Sequence, residues 1–143
     1  MYLVDTDVIS EARKERKANP GVRQFFEEAD RDNVPMYLSA VTVGELRQGI
    51  ESMRRRGDGA QARVLENWLV KVVERFDDAI LSFDQEAAEV WGRLRAPNRE
   101  NPIDKQIAAT ALINDLTVVT RNTPHFAPTG VRLLNPFTEG SSV

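Results

Sequence analysis

Short apolar runs alternate along the chain with longer stretches whose apolar residues recur every three to four positions. The runs Tyr2-Leu-Val, Pro35 to Ser39, Ala79 to Phe83 and Leu116 to Thr120 read as strands. Between them the spacing predicts helices. Val8, Ile9 and Ala12 mark a short one, and Val22, Phe25, Phe26 and Ala29 mark another after Asn19-Pro20-Gly21. Val43, Leu46, Ile50 and Met53 give a stripe on Ala40 to Arg54, with the polar Gln48 among them. Ala62, Leu65, Trp68, Leu69 and Val72 do the same on Ala60 to Phe76. These two helices either close the core or form a subunit interface. Ala87, Ala88, Val90, Trp91 and Leu94 follow Asp84, the expected cap of their helix. Thr129 to Leu134 reads as a short edge strand that Asn135-Pro136 stops. Strands alternating with helices argue for a three-layer α/β/α domain around a short, mostly parallel sheet. The expected domain spans residues 1–137, and the small polar segment 138–143 is expected to be disordered.

Asn101 to Ala111 carries the most information. Pro102 suits the first position of a helix, and Asn101 is then its natural N-cap. Ile103, Ile107, Ala108 and Ala111 form a slim apolar face. Asp104 lies one turn in, where an acid is either ordinary capping chemistry or a functional carboxylate at the positive helix end. Lys105 points about 100° away around the helix.

Composition narrows the chemistry. With no cysteine, disulfides and thiolate metal sites are excluded. The single histidine, His125, rules out a multi-histidine zinc site. A net charge of −3 is not the basic footprint of a nucleic-acid binder, so contact with RNA or DNA requires local basic patches or a bridging cation. No apolar run is long enough to span a bilayer, and the first residues lack a signal-peptide pattern, so the expected location is the cytoplasm.

Asp5 follows a buried strand directly and must find a partner or a cation. Asp7 reads most simply as a helix cap. Glu45 either closes a capping box with Thr42 or, if the helix starts at Ser39, lies two turns in beside the buried stripe. Gly44 beside it is expected to admit another backbone. Arg54-Arg55-Arg56 either complements a helix C-terminus or meets phosphates. Strand carboxyl ends and the helix starts that follow share one edge of a parallel sheet, so Asp5, Glu45 and Asp104 are expected to converge, with Asn122 near them. Two carboxylates about 4 Å apart repel by roughly 4 kcal/mol at an effective dielectric of about 20. Oxygen-only donors relieved by a divalent cation suit Mg²⁺ or Mn²⁺ and metal-dependent phosphodiester hydrolysis.

Several blocks together resemble the PIN-domain ribonucleases, in particular VapC-type toxins of toxin–antitoxin pairs and their FitB-like branch. They are Tyr2-Leu-Val-Asp-Thr-Asp-Val-Ile-Ser10, Leu38 to Gly49, Asn101 to Ala111, Val119-Thr-Arg-Asn122 through Phe126, and the Thr129-Gly-Val and Leu134-Asn-Pro-Phe137 ending. The resemblance implies that Asp5, Glu45 and Asp104 hold Mg²⁺ or Mn²⁺, with Thr6 beside the first acid and Asn122 where relatives carry a fourth acid or an Asn. It implies an endoribonuclease, a homodimer, and a VapB-type antitoxin through which alone DNA is contacted. Relatives carry an Asp where this chain has His125. That histidine is either a plain surface residue or one that touches phosphate or moves a proton. Two other readings compete: a haloacid-dehalogenase-like phosphatase using Asp5, and a non-catalytic peptide-binding PIN-like module.

Overall fold

The computed structural model describes residues 1–139. Five strands, β1 (Tyr2–Val4), β2 (Met36–Ser39), β3 (Ile80–Leu81), β4 (Thr117–Val119) and β5 (Leu133–Leu134), form one sheet in the order β3-β2-β1-β4-β5. Every pairing is parallel, with Val4 beside Val119 and Leu38 beside Ile80. The third and fifth strands are only two residues each, shorter than their apolar runs predict, because both lie at sheet edges with one neighbour.

Seven α-helices surround the sheet among the described residues: α1 (Thr6–Ala12), α2 (Pro20–Arg31), α3 (Ala40–Arg55), α4 (Gly59–Phe76), α5 (Gln85–Arg95), α6 (Pro102–Ile113) and α7 (Thr123–Phe126). Strand residues alternate between the two faces. Val4, Leu38 and Val119 pack with Val8, Val22, Leu46, Leu69 and Phe76 from α1 to α4. Leu3 and Val118 pack with Ile107, Ala108 and Phe126 from α6 and α7. The α3–α4 pair thus closes a core, while Val64, Val70 and Val73 of α4 remain exposed. Its outer seam is an ion-pair network in which Arg47 and Arg54 share Glu51 and Glu66 at 2.5–3.3 Å. That network engages Arg54 within the molecule.

Three local expectations are corrected. Gly44 meets no other backbone; the close approach is at Gly21, where a Cβ would stand 2.1 Å from the Pro136 carbonyl oxygen. Ile103 is 39% exposed, because the buried arc of α6 runs through Lys105, Ile107, Ala108 and Ala111. Asn101 precedes α6 in the left-handed region, φ 52° and ψ 57°, and its side chain makes no capping bond. A cap needs an extended backbone to aim its oxygen at the helix amides. Two contacts hold the start of α6 instead: the buried Lys105 amine donates to the Glu100 carbonyl, and Trp91 Nε1 donates to the Pro102 carbonyl at 2.9 Å.

Of the segment expected to be disordered, residues 140–143 lie outside the described residues, whereas Thr138 donates its amide to Asn19 Oδ1 at 3.0 Å.

Candidate active site

The connection from β1 to β2 runs over one face through α1 and α2, and the connection into β4 runs over the other through α5 and α6. The carboxyl ends of β1 and β4 therefore flank the point where the winding reverses, the place where open α/β sheets form a crevice. Asp5 ends β1 there, and Thr120 ends β4 beside it. Thr120 Oγ1 donates to Asp5 Oδ2 at 2.8 Å, and the same hydroxyl accepts from the Asn122 amide at 3.0 Å. Asp5 Oδ1 accepts from the Thr6 amide at 2.8 Å, so Asp5 is itself the N-cap of α1.

That overturns the reading of Asp7 as the cap. The strand passes into the helix with no loop, so the helix begins one residue after Asp5, and Asp7 is already in its first turn. Asp7 Oδ2 accepts from the Arg121 amide at 3.0 Å, while its Oδ1 is buried with no partner. Glu45 also leaves its capping alternative. Ser39 caps α3, its hydroxyl accepting from the Val41 amide at 3.0 Å, so Glu45 lies in the second turn and Thr42 is buried inside the helix. Thr6 Oγ1 donates to Glu45 Oε1 at 2.6 Å and ties α1 to α3. Asp104, in the first turn of α6, faces α7, with Oδ2 2.9 Å from His125 Nδ1.

The acids sense one another. Burial, followed by repulsion from Asp7, pushes the Asp5 carboxyl up from 3.8 to about 7, against the pull of the Thr120 and Thr6 hydrogen bonds; Asp104 adds to the rise. Asp7 is raised mainly by burial, with Asp104 adding repulsion and the hydrogen bond from the Arg121 amide opposing it. Glu45 is raised by burial first, opposed by the Thr6 hydroxyl and reinforced by Asp104 and Asp7. The structure thus brings Asp5, Glu45 and Asp104 to one crevice with Thr6, and adds Asp7. The Asn122 side chain is exposed, and it is the backbone amide that enters the network. Lys105, buried on the Glu100 carbonyl, supplies no counter-charge through a carboxylate contact.

Sequence reasoning missed Thr120 and misjudged Asp7. Pairing Val4 with Val119 is what sets Thr120 beside Asp5. The Asp-x-Asp spacing directly after a strand was the available signal for Asp7.

Among the described residues, no three His, Asp or Glu side chains stand close enough together, as placed, to hold a metal ion. The donor chemistry nevertheless fits a hard divalent cation. Asp7 and Asp104 both repel the Asp5 and Glu45 carboxylates, and Asp7 Oδ1 is a buried oxygen with no hydrogen-bond partner.

Comparison with known proteins agrees with this architecture. The sequence pattern of the PIN domain matches residues 2–127. The chain belongs to the PIN-domain family. Among curated PIN-related sequences it is similar to the plasmid stability protein StbB of Pseudomonas syringae pv. tomato, 35% identical over 96% of this chain and 99% of that one. It is also similar to Toxin FitB of Neisseria gonorrhoeae, at 34% over 96% and 99%. VapC ribonuclease Y4jK of Sinorhizobium fredii is 33% identical over 96% and 98%. Among solved structures, FitAcB from Neisseria gonorrhoeae superposes with a TM-score of 0.80 at 33% identity, covering 95% of this chain and 98% of that one. FitAB bound to a DNA fragment superposes at 0.79 with 30% identity and full coverage of both chains. The PIN-domain match contains every acid of the crevice. No helix among the described residues is long and apolar enough to cross a membrane.

Proposed function

We propose that this PIN-domain protein is a metal-dependent endoribonuclease acting as the toxin of a toxin–antitoxin pair. The observation that carries the proposal is the convergence of Asp5, Asp7, Glu45 and Asp104 at the winding reversal of a PIN fold, with Asp7 Oδ1 buried and unpartnered. Asp5, Glu45 and Asp104 are the residues proposed to hold Mg²⁺ or Mn²⁺, and Asp7 stands ready as a fourth acid. When bound, such an ion offsets the acids' repulsion, stabilises charge on a phosphoryl group and acidifies water.

The chain's own residues then have distinct tasks. Thr120 and the Thr6 amide fix the two oxygens of Asp5, and the Thr6 hydroxyl fixes one oxygen of Glu45. The proposed reaction is hydrolysis: the water oxygen bonds to phosphorus as the P–O3′ bond breaks, the water's proton passes to a carboxylate of the crevice, and the departing 3′ oxygen takes up a proton to leave as a 3′ hydroxyl beside a 5′ phosphate. A groove of about 260 Å³ opens from Thr6 and Glu45 toward Arg13 and Trp68. It gives an incoming segment both a cation and an apolar wall.

The similar FitAB and VapBC assemblies, some of them bound to DNA, support an antitoxin partner for this chain and DNA contact through that partner. A homodimer is the expected assembly. Cytoplasmic action follows from an RNA target. The phosphatase alternative loses support because Lys105 is buried on the Glu100 carbonyl and makes no carboxylate contact at the crevice.

The test uses purified full-length protein and a mixed RNA substrate. Cleavage should require Mg²⁺ or Mn²⁺, stop with chelator, and be absent in Asp5→Asn and Asp104→Asn. Metal-independent cleavage, or full activity in either variant, refutes the proposal. Peptide binding without cleavage would leave the chain a non-catalytic module.

A further inference from the structure

We infer that His125 is a positioning residue: its imidazole tethers Asp104 and sets which oxygen of that carboxylate faces the other acids. The inference rests on the metal-site reading above.

The tether has a firm base. Helix α7 is only four residues long, but Phe126 is fully buried in the second core beside Ile107 and Ala108 of α6. The Phe126 carbonyl accepts from the Thr129 hydroxyl at 2.6 Å, and the His125 amide donates to the Asn122 carbonyl at 3.0 Å. The backbone at position 125 is therefore held on both sides against the helix that carries Asp104. From this base, Nδ1 reaches Asp104 Oδ2 at 2.9 Å, with the imidazole 47% exposed and the carboxylate 19% exposed.

A carboxylate accepts hydrogen bonds, so the tether is made by the tautomer with hydrogen on Nδ1. The imidazole needs no charge to do so. Asp104 acts on Asp5, Asp7 and Glu45 by charge repulsion, so the direction in which its carboxylate points matters to all three. Holding Oδ2 against α7 fixes that direction and leaves Oδ1 as the oxygen offered to a cation. Groups that orient metal-binding carboxylates in this way typically change metal affinity by about 10–100-fold.

The test measures Mn²⁺ binding to the full chain by titration calorimetry at pH 8, without RNA, so activity plays no part. His125→Ala should weaken binding about tenfold. His125→Asn, whose amide can place a donor near the Nδ1 position, should stay within about threefold of the parent. Equal affinity in His125→Ala and the parent would overturn the tether while leaving the metal site standing. Equal weakening in the Ala and Asn variants would also overturn it, since the imidazole itself would then be what binds. Failure of the parent chain to bind Mn²⁺ would overturn the metal-site reading and this inference with it. Metal-free melting temperatures of the three proteins verify that each is folded.

Discussion

Replacing Asp5 by asparagine should stabilise the metal-free protein at neutral and alkaline pH while removing its activity. Asp5 is 3% exposed, and its carboxyl is raised from 3.8 to about 7 by burial and by the acids around it. Between those two values the folded chain holds a proton that the unfolded chain has released. Stability therefore falls as pH rises through that window, and above pH 7 the full difference opposes folding. At 1.36 kcal/mol for each pH unit, a rise from 3.8 to about 7 amounts to at most about 4 kcal/mol.

Asparagine never ionises, so it escapes that penalty. Its oxygen can still accept from the Thr6 amide, but its amino group faces the Thr120 hydroxyl, which now donates to Asp5 and already accepts from the Asn122 amide. Disturbing that bond costs about 1 kcal/mol. The expected net gain is about 2–3 kcal/mol at pH 8, or roughly 5–10 °C in melting temperature for a domain of this size. Near pH 4 the gain vanishes and the parent becomes the more stable. Urea or thermal denaturation in chelator from pH 4 to 8 reads this directly. Saturating Mn²⁺ should reverse the order at pH 8, because a ligand bound only by the folded parent stabilises it by mass action. An Asp5→Asn protein that is less stable than the parent at pH 8 in chelator, or that keeps the parent's pH slope, refutes the reasoning.

Asp7→Asn should lower RNA cleavage at least tenfold and raise metal-free stability at pH 8, since burial raises its carboxyl and Oδ1 lacks a partner; unchanged turnover would make Asp7 structural only. Gly21→Ala should lower the melting temperature by an amount equivalent to about 1–3 kcal/mol, because a Cβ there meets backbone of Pro136 and Thr138 that cannot simply rotate away; an unchanged melting temperature would contradict the close approach. Lys105→Met keeps the apolar stem but removes the amine from the Glu100 carbonyl, so limited proteolysis should nick the segment 96–101 faster than in the parent; an equal rate would show that the amine is not what holds that loop.

The alternation of apolar runs and helical stripes was enough to expect a parallel sheet with helices on both faces, because the inner strands are buried on both sides and the helices on one. The same topology sends the ends of β1 and β4 to one edge, so Asp5, Glu45 and Asp104 could be singled out from residue type and position. Asp7 could not be assigned correctly from sequence, because two acids two residues apart compete for one cap and only the direct strand-to-helix passage decides between them. Asn101 reads as a cap by composition, yet its left-handed backbone accompanies a loop fastened by Lys105 and Trp91, contacts that arise only in the folded chain. Gly21 is constrained by the chain near Pro136, and no local pattern announces that approach. The His125–Asp104 pair spans 21 residues and likewise depends on how α7 docks on α6.

The most direct measurement of the central claim is anomalous diffraction from crystals of the full chain soaked in Mn²⁺. A manganese peak is expected within coordination distance of Asp5 and Asp104, with Glu45 in reach directly or through water. Manganese elsewhere on the molecule, or none at the crevice under conditions that support RNA cleavage, would contradict it.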